Sequence, residues 1–568
     1  MVQGFVQIAI FCALIVAVVP FLGGYMARVF SGDRTFLDPV VGPLERGTYR
    51  LLRIDPTRGQ DWKAYARGVI FFSLAGWLLL FIILRTQTLH PWNPGDFHSG
   101  TWDLSFNTAS SFVTNTNWQF YGGETTLSYF SQMAGLAVQN FVSAAVGIAV
   151  AIALIRGIIA RRSSNPTLGN FWQDLIRATF YVLLPISIIG AIVLMSQGVI
   201  QTLGGTVADM ARGPVASQEV IKELGTNGGG FFNVNSAYPF ENPTGFSNLV
   251  EMFLILCIPA SLTYTYGRMV GSRRQGWALF SAMSVMFIVS VVVVYIAEQH
   301  GTPAQHAAGV VGANLEGKEQ RFGIANAALW TAVTTVTSCG AVNAAFESLT
   351  GIGGMIPFVD LGYGESVFGG VGTGLYTMLL YVLLAVFIGG LMVGRTPEFL
   401  GKKVEAREIK LVSLGVLATP LAVLLSTFLA TATKYGKPSI FASGPQGFSE
   451  QLYAYMSQAN NNGSAFAGYT GYYQPTPGNV GAHGITFADL LGGITMLGAR
   501  FLPILLVLAV AGSLATKRVA PAGLGTLRTD TPTFVGLLGG TVVLIGALTF
   551  FPAILLGPVV QGLTDRLF

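Results

Sequence analysis

Ten apolar segments of membrane length recur along the chain, and polar loops separate them. The segments lie near residues 4–27, 68–86, 128–156, 178–200, 246–268, 276–297, 373–394, 411–433, 486–513 and 533–560. A helix needs about 20 apolar residues to cross the hydrocarbon core of a bilayer. The pattern therefore predicts an all-α polytopic membrane protein with ten transmembrane helices.

Basic residues are concentrated in alternate loops. Of the 32 Lys and Arg residues, 23 fall in loops on one side of the predicted membrane. Basic residues are enriched in cytoplasmic loops of membrane proteins. We therefore expect this side to be cytoplasmic, which places both termini outside.

Four polar stretches between spans, all predicted on the outer side, can be aligned with one another. They read Thr114-Asn115-Thr116-Asn117, Thr226-Asn227-Gly228-Gly229, Thr337-Ser338-Cys339-Gly340 and Asn460-Asn461-Asn462-Gly463. The fourth position is glycine three times and Asn117 once, and asparagine also tolerates the left-handed conformation. A single stretch of this kind could be a water-exposed turn, but the repetition favours four loops that re-enter the membrane and share one polar path.

The alignment divides the chain into four parallel units, each composed of a span, an outer loop and a second span. The units are repeat 1 (68–156), repeat 2 (178–268), repeat 3 (276–394) and repeat 4 (411–513), flanked by 1–67 and 514–568, each a terminal helix with a cytoplasmic loop. Parallel units predict a pseudo-fourfold axis. The inverted repeats of many secondary transporters would instead place two loops on each side.

A short amphipathic run precedes each polar stretch, for example residues 217–224, and each run is too short to cross a bilayer. We interpret these runs as pore helices, with Ser217 as an N-cap. The C-terminal end of a helix carries a partial negative charge. Four such ends pointing at one axis would favour a cation.

The second loop, from Gly225 to Thr244, resembles the signature of the KdpA family, the potassium-translocating subunits of bacterial Kdp-type P-type ATPases, and the resemblance runs over the whole chain. It implies four non-identical repeats around one potassium path in an inner-membrane complex. It also implies a catalytic partner, KdpB, which hydrolyses ATP, and two smaller subunits, KdpC and KdpF. Potassium would pass sideways to the catalytic chain.

The 16 residues of the four tetrapeptides are the predicted potassium filter. Rings of backbone carbonyls replace the water shell of potassium in channel filters, and no Asp or Glu lies in the tetrapeptides, which argues against a divalent-cation site. Thr114, Thr226 and Thr337 would add hydroxyl oxygens and Asn460 an amide, although capping of the preceding helix is the plainer interpretation. Carboxylates that follow three of the loops, Glu124, Glu241 and Glu347, would attract cations to the mouth.

Three further residues are candidates for function. Gln119 resembles a family position that lines the outer vestibule. Arg395 follows Gly389-Gly390 at the end of the seventh span, and the family's interrupted helix makes it a candidate gate, although a cytoplasmic anchor is the simpler interpretation. Arg500 lies inside the ninth span, where a charge is a functional candidate with an unknown partner.

Composition excludes several other classes of protein. The chain is 52% hydrophobic and 10% charged, whereas soluble domains are about 25% charged. The basic residues do not form a nucleic-acid-binding stripe, and the three cysteines have no metal-ligand spacing. No Walker A loop or Asp-Lys-Thr-Gly motif occurs in the sequence. We therefore expect a non-catalytic chain that binds no nucleotide. Its transported ion would be potassium, and a partner would hydrolyse the ATP.

Two other functions remain open from the residues alone. A stand-alone potassium channel or cation symporter of the same superfamily would need the same pore. A secondary transporter of an organic solute would need charged groups at mid-membrane and inverted repeats. The sequence pattern indicates neither of these two features.

Overall fold

The computed structural model describes residues 1–161, 166–205, 210–392, 394–473, 483–484, 486–521 and 526–563. In its first half the α-helices are α1 (Val2–Ser31), α2 (Asp38–Leu52), α3 (Trp62–Arg85), α4 (Trp102–Val113), α5 (Gly123–Thr126), α6 (Val138–Ile159), α7 (Phe171–Arg177), α8 (Leu184–Ser196), α9 (Val215–Leu224) and α10 (Gly245–Met269). In its second half they are α11 (Arg273–His300), α12 (Pro303–Ala307), α13 (Gly323–Val336), α14 (Gly351–Gly362), α15 (Thr373–Met392), α16 (Ala406–Ala432), α17 (Gly444–Ala459), α18 (Thr486–Ala515), α19 (Pro532–Ile554) and α20 (Val560–Leu563).

Shorter elements connect or extend these helices. Three segments of π-helix make longer continuous helices. Ser131–Ala137 extends α6 at its start, Ala178–Leu183 joins α7 to α8, and Leu555–Val559 joins α19 to α20. Single 3₁₀ turns lie at Gln87–Leu89, Asn235–Ala237, Phe346–Ser348 and Lys437–Ser439. Two antiparallel pairs of two-residue strands, β1 (Glu398–Phe399) with β2 (Lys402–Lys403) and β3 (Tyr472–Tyr473) with β4 (His483–Gly484), are the named β-structure of the described residues.

Ten helices of the described chain are long and apolar enough to cross a membrane, as the hydropathy pattern predicts. They are Val2–Ser31, Trp62–Arg85, Ser131–Ile159, Phe171–Ser196, Gly245–Met269, Arg273–Ala307, Thr373–Met392, Ala406–Ala432, Thr486–Ala515 and Pro532–Leu563. Local signals fix several of their starts: Thr244 and Ser247 form a capping box at α10, and Thr531 caps α19 just before a proline at its first position.

Four short helices, α4, α9, α13 and α17, each lie in sequence between two membrane-length helices and end just before one of the aligned tetrapeptides. The prediction of pore helices is therefore confirmed in position. The predicted N-cap of α9 is wrong, because the helix begins at Val215 with Pro214 in the capping position, and Ser217 lies within its first turn. The Ser217 amide donates instead to the side chain of Gln201, 3.0 Å away.

The third unit departs from the other three. The stretch 347–373, which the sequence left unassigned, contains α14 and then a loop, residues 363–372, that leads into α15. This loop interrupts the second helix of the unit, whereas Gly389-Gly390 lies inside α15 without breaking it. Asp360 on α14 accepts hydrogen bonds from Ser290 of α11 (2.6 Å) and Thr335 of the pore helix α13 (2.8 Å), so the first half of the broken helix is fixed to the pore helix.

Close helix contact defines the core, and α1 and α10 pack along each other over most of their length. Small residues let helix backbones approach closely in membranes. Gly23 of α1 is such a position, because a Cβ there would lie 2.5 Å from the Ser261 backbone oxygen and 2.9 Å from the Tyr264 Cβ. The neighbouring Gly24 has room, since its Cβ would meet only a Tyr264 ring carbon at 3.9 Å.

We predict that Gly23→Ala destabilises the protein by about 1–3 kcal/mol, the usual cost of overpacking a core. Gly24→Ala is the matched control and should leave stability unchanged, since it adds the same methyl group to the same turn without an overlap. Thermal unfolding of the detergent-solubilised chain measures both. Equal midpoints for the two variants would contradict the packing described here.

Candidate ion-binding site

The first and second tetrapeptides are joined by asparagine side chains. The Asn115 amide group donates to the backbone oxygens of Gly225 (3.2 Å) and Thr226 (3.1 Å), and the Asn117 amide group donates to Gly228 O (3.0 Å). These donors cross from one loop to the next. They fix the register of the two loops against each other.

The second loop contacts the third, and the third contacts the fourth. The Gly340 amide donates to Asn227 O at 3.2 Å, and a Cβ on Gly228 would overlap the Gly340 backbone. A Cβ on Gly340 would in turn lie 2.6 Å from Asn462 O. Backbone groups approach one another here so closely that a side chain would not fit.

The fourth loop returns to the first and closes the circle. The Asn461 amide group donates to the Thr116 hydroxyl at 2.9 Å, and a Cβ on Gly463 would overlap Thr116 O. The four loops therefore touch in the cyclic order one, two, three, four. The tetrapeptides predicted as a filter lie together, and all 16 of their residues are described.

The fourth position of the tetrapeptides shows the expected backbone conformation in three loops. Asn117, Gly229 and Gly463 have φ values of 57°, 70° and 97°, in the left-handed region. Gly340 does not have a positive φ, and its glycine is required by the contact with Asn462 instead. The aligned position therefore has two different physical requirements, handedness in three loops and close approach in the third loop.

The threonine hydroxyls cap the preceding helices and still present oxygen lone pairs. Thr114, Thr226 and Thr337 donate to the backbone oxygens of Ser110 (2.7 Å), Gly225 (2.7 Å) and Val333 (2.6 Å). A hydroxyl has one proton and two acceptor lone pairs. Capping and a role as an oxygen ligand are therefore compatible.

Four buried amide oxygens within the tetrapeptides accept no hydrogen bond from any described residue. They are the Oδ1 atoms of Asn117, Asn227, Asn460 and Asn461, and these side chains are at most 2% exposed. Buried polar atoms normally have a partner. The first and second loops contribute one such oxygen each and the fourth contributes two. Neutral oxygens of this kind suit a monovalent cation.

A cavity of about 580 Å³ opens on one side of the ring, and all four loops line it through Gln119, Gly229, Gly340 and Gly463. Gln119 bridges the first two loops, since its side chain accepts from the Gly230 amide (3.1 Å) and donates to Gly230 O (3.0 Å). Gln119 therefore lines this cavity, and its role in an outer vestibule stays a prediction.

On the opposite side, the 363–372 loop lies against the ring. The Val371 amide donates to the Thr226 hydroxyl at 2.8 Å, and the Gly369 amide donates to Val336 O at 2.8 Å. A small polar pocket there contains Asn461 together with Glu365 and Arg500. The Gly369 and Val371 amides can make these bonds because the helix is interrupted here, since an amide inside a continuous helix donates within that helix.

Arg500 has the partner that the sequence could not identify. Its guanidinium donates to the Thr373 hydroxyl at 2.7 Å and lies 3.9 Å from the Glu365 carboxylate, and both charged side chains are buried. Sequence reasoning missed Glu365 because it lies in the glycine-rich stretch that had no assigned structure. Arg395, the other candidate, is exposed and follows the far end of α15, a 20-residue helix that is roughly 30 Å long.

The three carboxylates expected at the mouth have different positions. Glu241 is wholly buried and accepts from the Phe232 amide at 2.8 Å, so it does not face the mouth, and burial raises its pKa to about 8. Glu124 accepts from the Asn233 amide at 2.9 Å. Glu347 is half-buried. The expectation for Glu241 is therefore wrong.

Sequence reasoning also missed Lys222, which lies on the pore helix α9. Residues 217–224 have the pattern of an ordinary amphipathic helix, in which a lysine among charged neighbours is expected to face water. The Lys222 side chain is instead 1% exposed, and its ammonium donates to Gly229 O at 2.7 Å. The only signal in the sequence is that a charged residue precedes a membrane-buried loop by one turn.

The fold is similar to that of a solved potassium transporter. The solved structure of the potassium transporter TrkH from Vibrio parahaemolyticus matches with a TM-score of 0.52 and 16% identity, covering 78% of this chain and 84% of TrkH. At that identity the match concerns the fold alone. It confirms the prediction of a ten-helix protein with four parallel units.

The chain belongs to the KdpA family, described as the potassium-transporting ATPase A subunit, which it matches over residues 9–563. A potassium-transporting ATPase potassium-binding subunit from Methylobacterium radiotolerans is 53% identical over 570 aligned residues, covering 99% of this chain and 97% of the relative. A protein of the same name from Mesorhizobium japonicum is 52% identical, with coverage of 99% and 98%. The family resemblance found in the sequence is thereby confirmed.

Proposed function

We propose that this chain is the potassium-binding, non-catalytic subunit of a potassium-transporting ATPase and that it selects potassium within the ring of four tetrapeptides. The relatives' name supports the ion and the assembly. The observation that carries the site is the set of buried, unpartnered oxygens of Asn117, Asn227, Asn460 and Asn461 among the described residues.

The chemistry of the ring favours potassium over divalent cations. A cation that leaves water needs replacement oxygens at fixed positions, and calcium and magnesium sites normally include carboxylates. The tetrapeptides contain none. The pore helices direct their C-terminal ends at the loops, so their partial negative charge adds to the attraction for a cation.

Potassium would enter from the periplasmic side, where both termini of the chain lie, and leave sideways towards a catalytic chain of the KdpB type. KdpC and KdpF would complete the inner-membrane complex. The repeat boundaries 68–156, 178–268, 276–394 and 411–513, with the flanks 1–67 and 514–568, belong to the same proposal. A stand-alone channel or symporter is the alternative, because the same ring would serve it.

We predict that Gly340→Ser and Gly229→Asp lower the preference for potassium over rubidium and sodium by about tenfold or more. The serine Cβ would lie 2.6 Å from Asn462 O, and a side chain on Gly229 must adopt a φ of 70°. Cation-dependent thermal stabilisation of the purified chain measures binding, since a ligand stabilises the state that binds it.

Gly539→Ser is the matched control, because a Cβ on this glycine of α19 meets no atom of the described residues within 4 Å. It should bind potassium as the native chain does. Native affinity and discrimination in both filter variants would contradict the assignment of the ring.

The assembly predicts a second result. The chain, purified gently from a bacterial membrane, should carry an ATPase subunit whose hydrolysis rises with potassium and falls in Gly340→Ser. Potassium currents from the isolated chain in a planar bilayer, without any ATPase partner, would instead support the stand-alone channel.

Arg395 remains a candidate gate. We expect Arg395→Ala to change the rate of potassium transport more than the potassium affinity, because the residue lies beyond the end of α15 and away from the ring. Arg407→Ala, another basic residue of the same cytoplasmic stretch, is the control. Transport at the native rate in Arg395→Ala would leave Arg395 as a membrane anchor.

A further inference from the structure

A fully buried lysine lies directly behind the second tetrapeptide. The Lys222 side chain is 1% exposed, and its ammonium lies 2.8 Å from Glu219, 3.5 Å from Glu223 and 3.4 Å from Glu241. All three carboxylates are themselves buried. Burying a lone ammonium is very unfavourable, and these partners are what make the position possible.

The ammonium also donates to a backbone oxygen of the ring. The distance from Lys222 Nζ to Gly229 O is 2.7 Å, typical of a charge-assisted hydrogen bond. Because the ammonium lies in the protein wall, the carbonyl that it holds faces the wall. Gly229 is thus the position where the second loop's main chain turns away from the path.

The backbone at this point can turn either way. Gly228 and Gly229 have φ values of 83° and 70°, and glycine adopts positive and negative φ about equally well. The geometry of two adjacent glycines does not by itself choose one direction for the Gly229 carbonyl. A fixed donor at 2.7 Å does.

The charge of the lysine does not oppose a cation in the ring, because the glutamates balance it. These glutamates also contact the third loop, since the Cys339 thiol donates to the Glu223 carboxylate at 3.4 Å. Ser236 donates to Glu219 at 2.7 Å and completes the cluster. One buried network therefore contacts two of the four tetrapeptides from behind.

We propose that Lys222 is a specificity-determining positioning residue, which holds the Gly229 carbonyl in the wall and so sets which oxygens of the second loop face the cation. This inference rests on the proposed function of the ring. Without the ammonium, the Gly229 peptide can rotate and add an oxygen to the path, which changes the number and spacing of ligands that discriminate between cations.

A competing role for the cluster is a site for a divalent cation. Glu219, Glu223 and Glu251 each bring a carboxylate oxygen within 4.8 Å of the others. The Lys222 ammonium already lies 2.8 Å from a carboxylate oxygen of Glu219, and a metal ion there would face a fixed positive charge. The Lys222 ammonium therefore takes the place that a metal ion would have among these carboxylates.

The experiment compares Lys222→Met with Lys402→Met in the full-length chain. Lys402 is equally buried and its ammonium also donates to backbone oxygens, those of Gly157 (3.0 Å) and Leu514 (2.7 Å) at the ends of α6 and α18. It therefore controls for the general effect of removing a buried ammonium. The readouts are the apparent dissociation constants of potassium, rubidium and sodium, obtained from the thermal shift that each chloride salt produces.

We expect the ratio of sodium to potassium dissociation constants to fall about tenfold or more in Lys222→Met and to stay within about twofold of the native ratio in Lys402→Met. If Lys222→Met does not fold, the double variant Lys222→Met with Glu241→Gln replaces it, because it removes one positive and one negative charge together. The glutamine keeps an oxygen for the Phe232 amide.

Native discrimination in a folded Lys222 variant overturns the inference and leaves the proposed function standing, since the native chain still selects potassium. An equal loss in Lys402→Met also overturns it, because the effect would then follow from lost stability. A native chain with no preference for potassium would overturn the proposed function and this inference with it.

Discussion

The structure depends on one constraint: irregular backbone cannot be left without partners at the depth of a membrane. Four loops that are neither helix nor strand meet between membrane-length helices, and no lipid group could satisfy their amides and carbonyls. The chain meets the constraint by bringing the loops against one another. Asn115 and Asn117 supply side-chain donors from the first loop to the second, and Asn461 supplies one from the fourth loop to the first. The Gly340 amide supplies a backbone donor from the third loop to the second.

This solution explains why the four tetrapeptides differ in sequence although they meet in one ring. Where one loop uses an asparagine to cross to its neighbour, another uses a glycine so that the two backbones can touch. Asn115 donates to two backbone oxygens of the second loop, and Gly228 leaves space for the Gly340 backbone. A single chain with four unequal units can divide these tasks among its loops. Four identical subunits would have to use the same residue at every contact.

The sequence alone predicts where the spans and the four loops lie, because both can be recognised from local composition. Twenty apolar residues predict a span whatever they pack against, and a pore helix must end where its loop begins. It was not sufficient where a side chain's role depends on distant residues. Glu241 reads as a carboxylate at the mouth, but Lys222 and the Phe232 amide hold it inside the wall.

The same limit applies to the interrupted helix of the third unit and to the start of α9. The glycines at 389 and 390 look like a break, yet the break is the loop 363–372, whose partners Thr226 and Val336 belong to other parts of the chain. Serine is a residue type favoured at N-caps, but the Ser217 amide donates to the Gln201 side chain and the helix begins earlier. Arg500 was recognisable as unusual, and Glu365 and Thr373 became its partners only once the chain was folded.

The broken helix makes the two sides of the ring unequal. On one side the four loops line an open cavity of about 580 Å³. On the other side the amides of Gly369 and Val371 bond to the second and third units, and the buried pair of Glu365 and Arg500 lies beside them. A continuous helix could not do this, because its amides bond within the helix. The interruption thus gives a nearly fourfold ring one distinct side, with a charged, polar surface contributed mainly by a single unit.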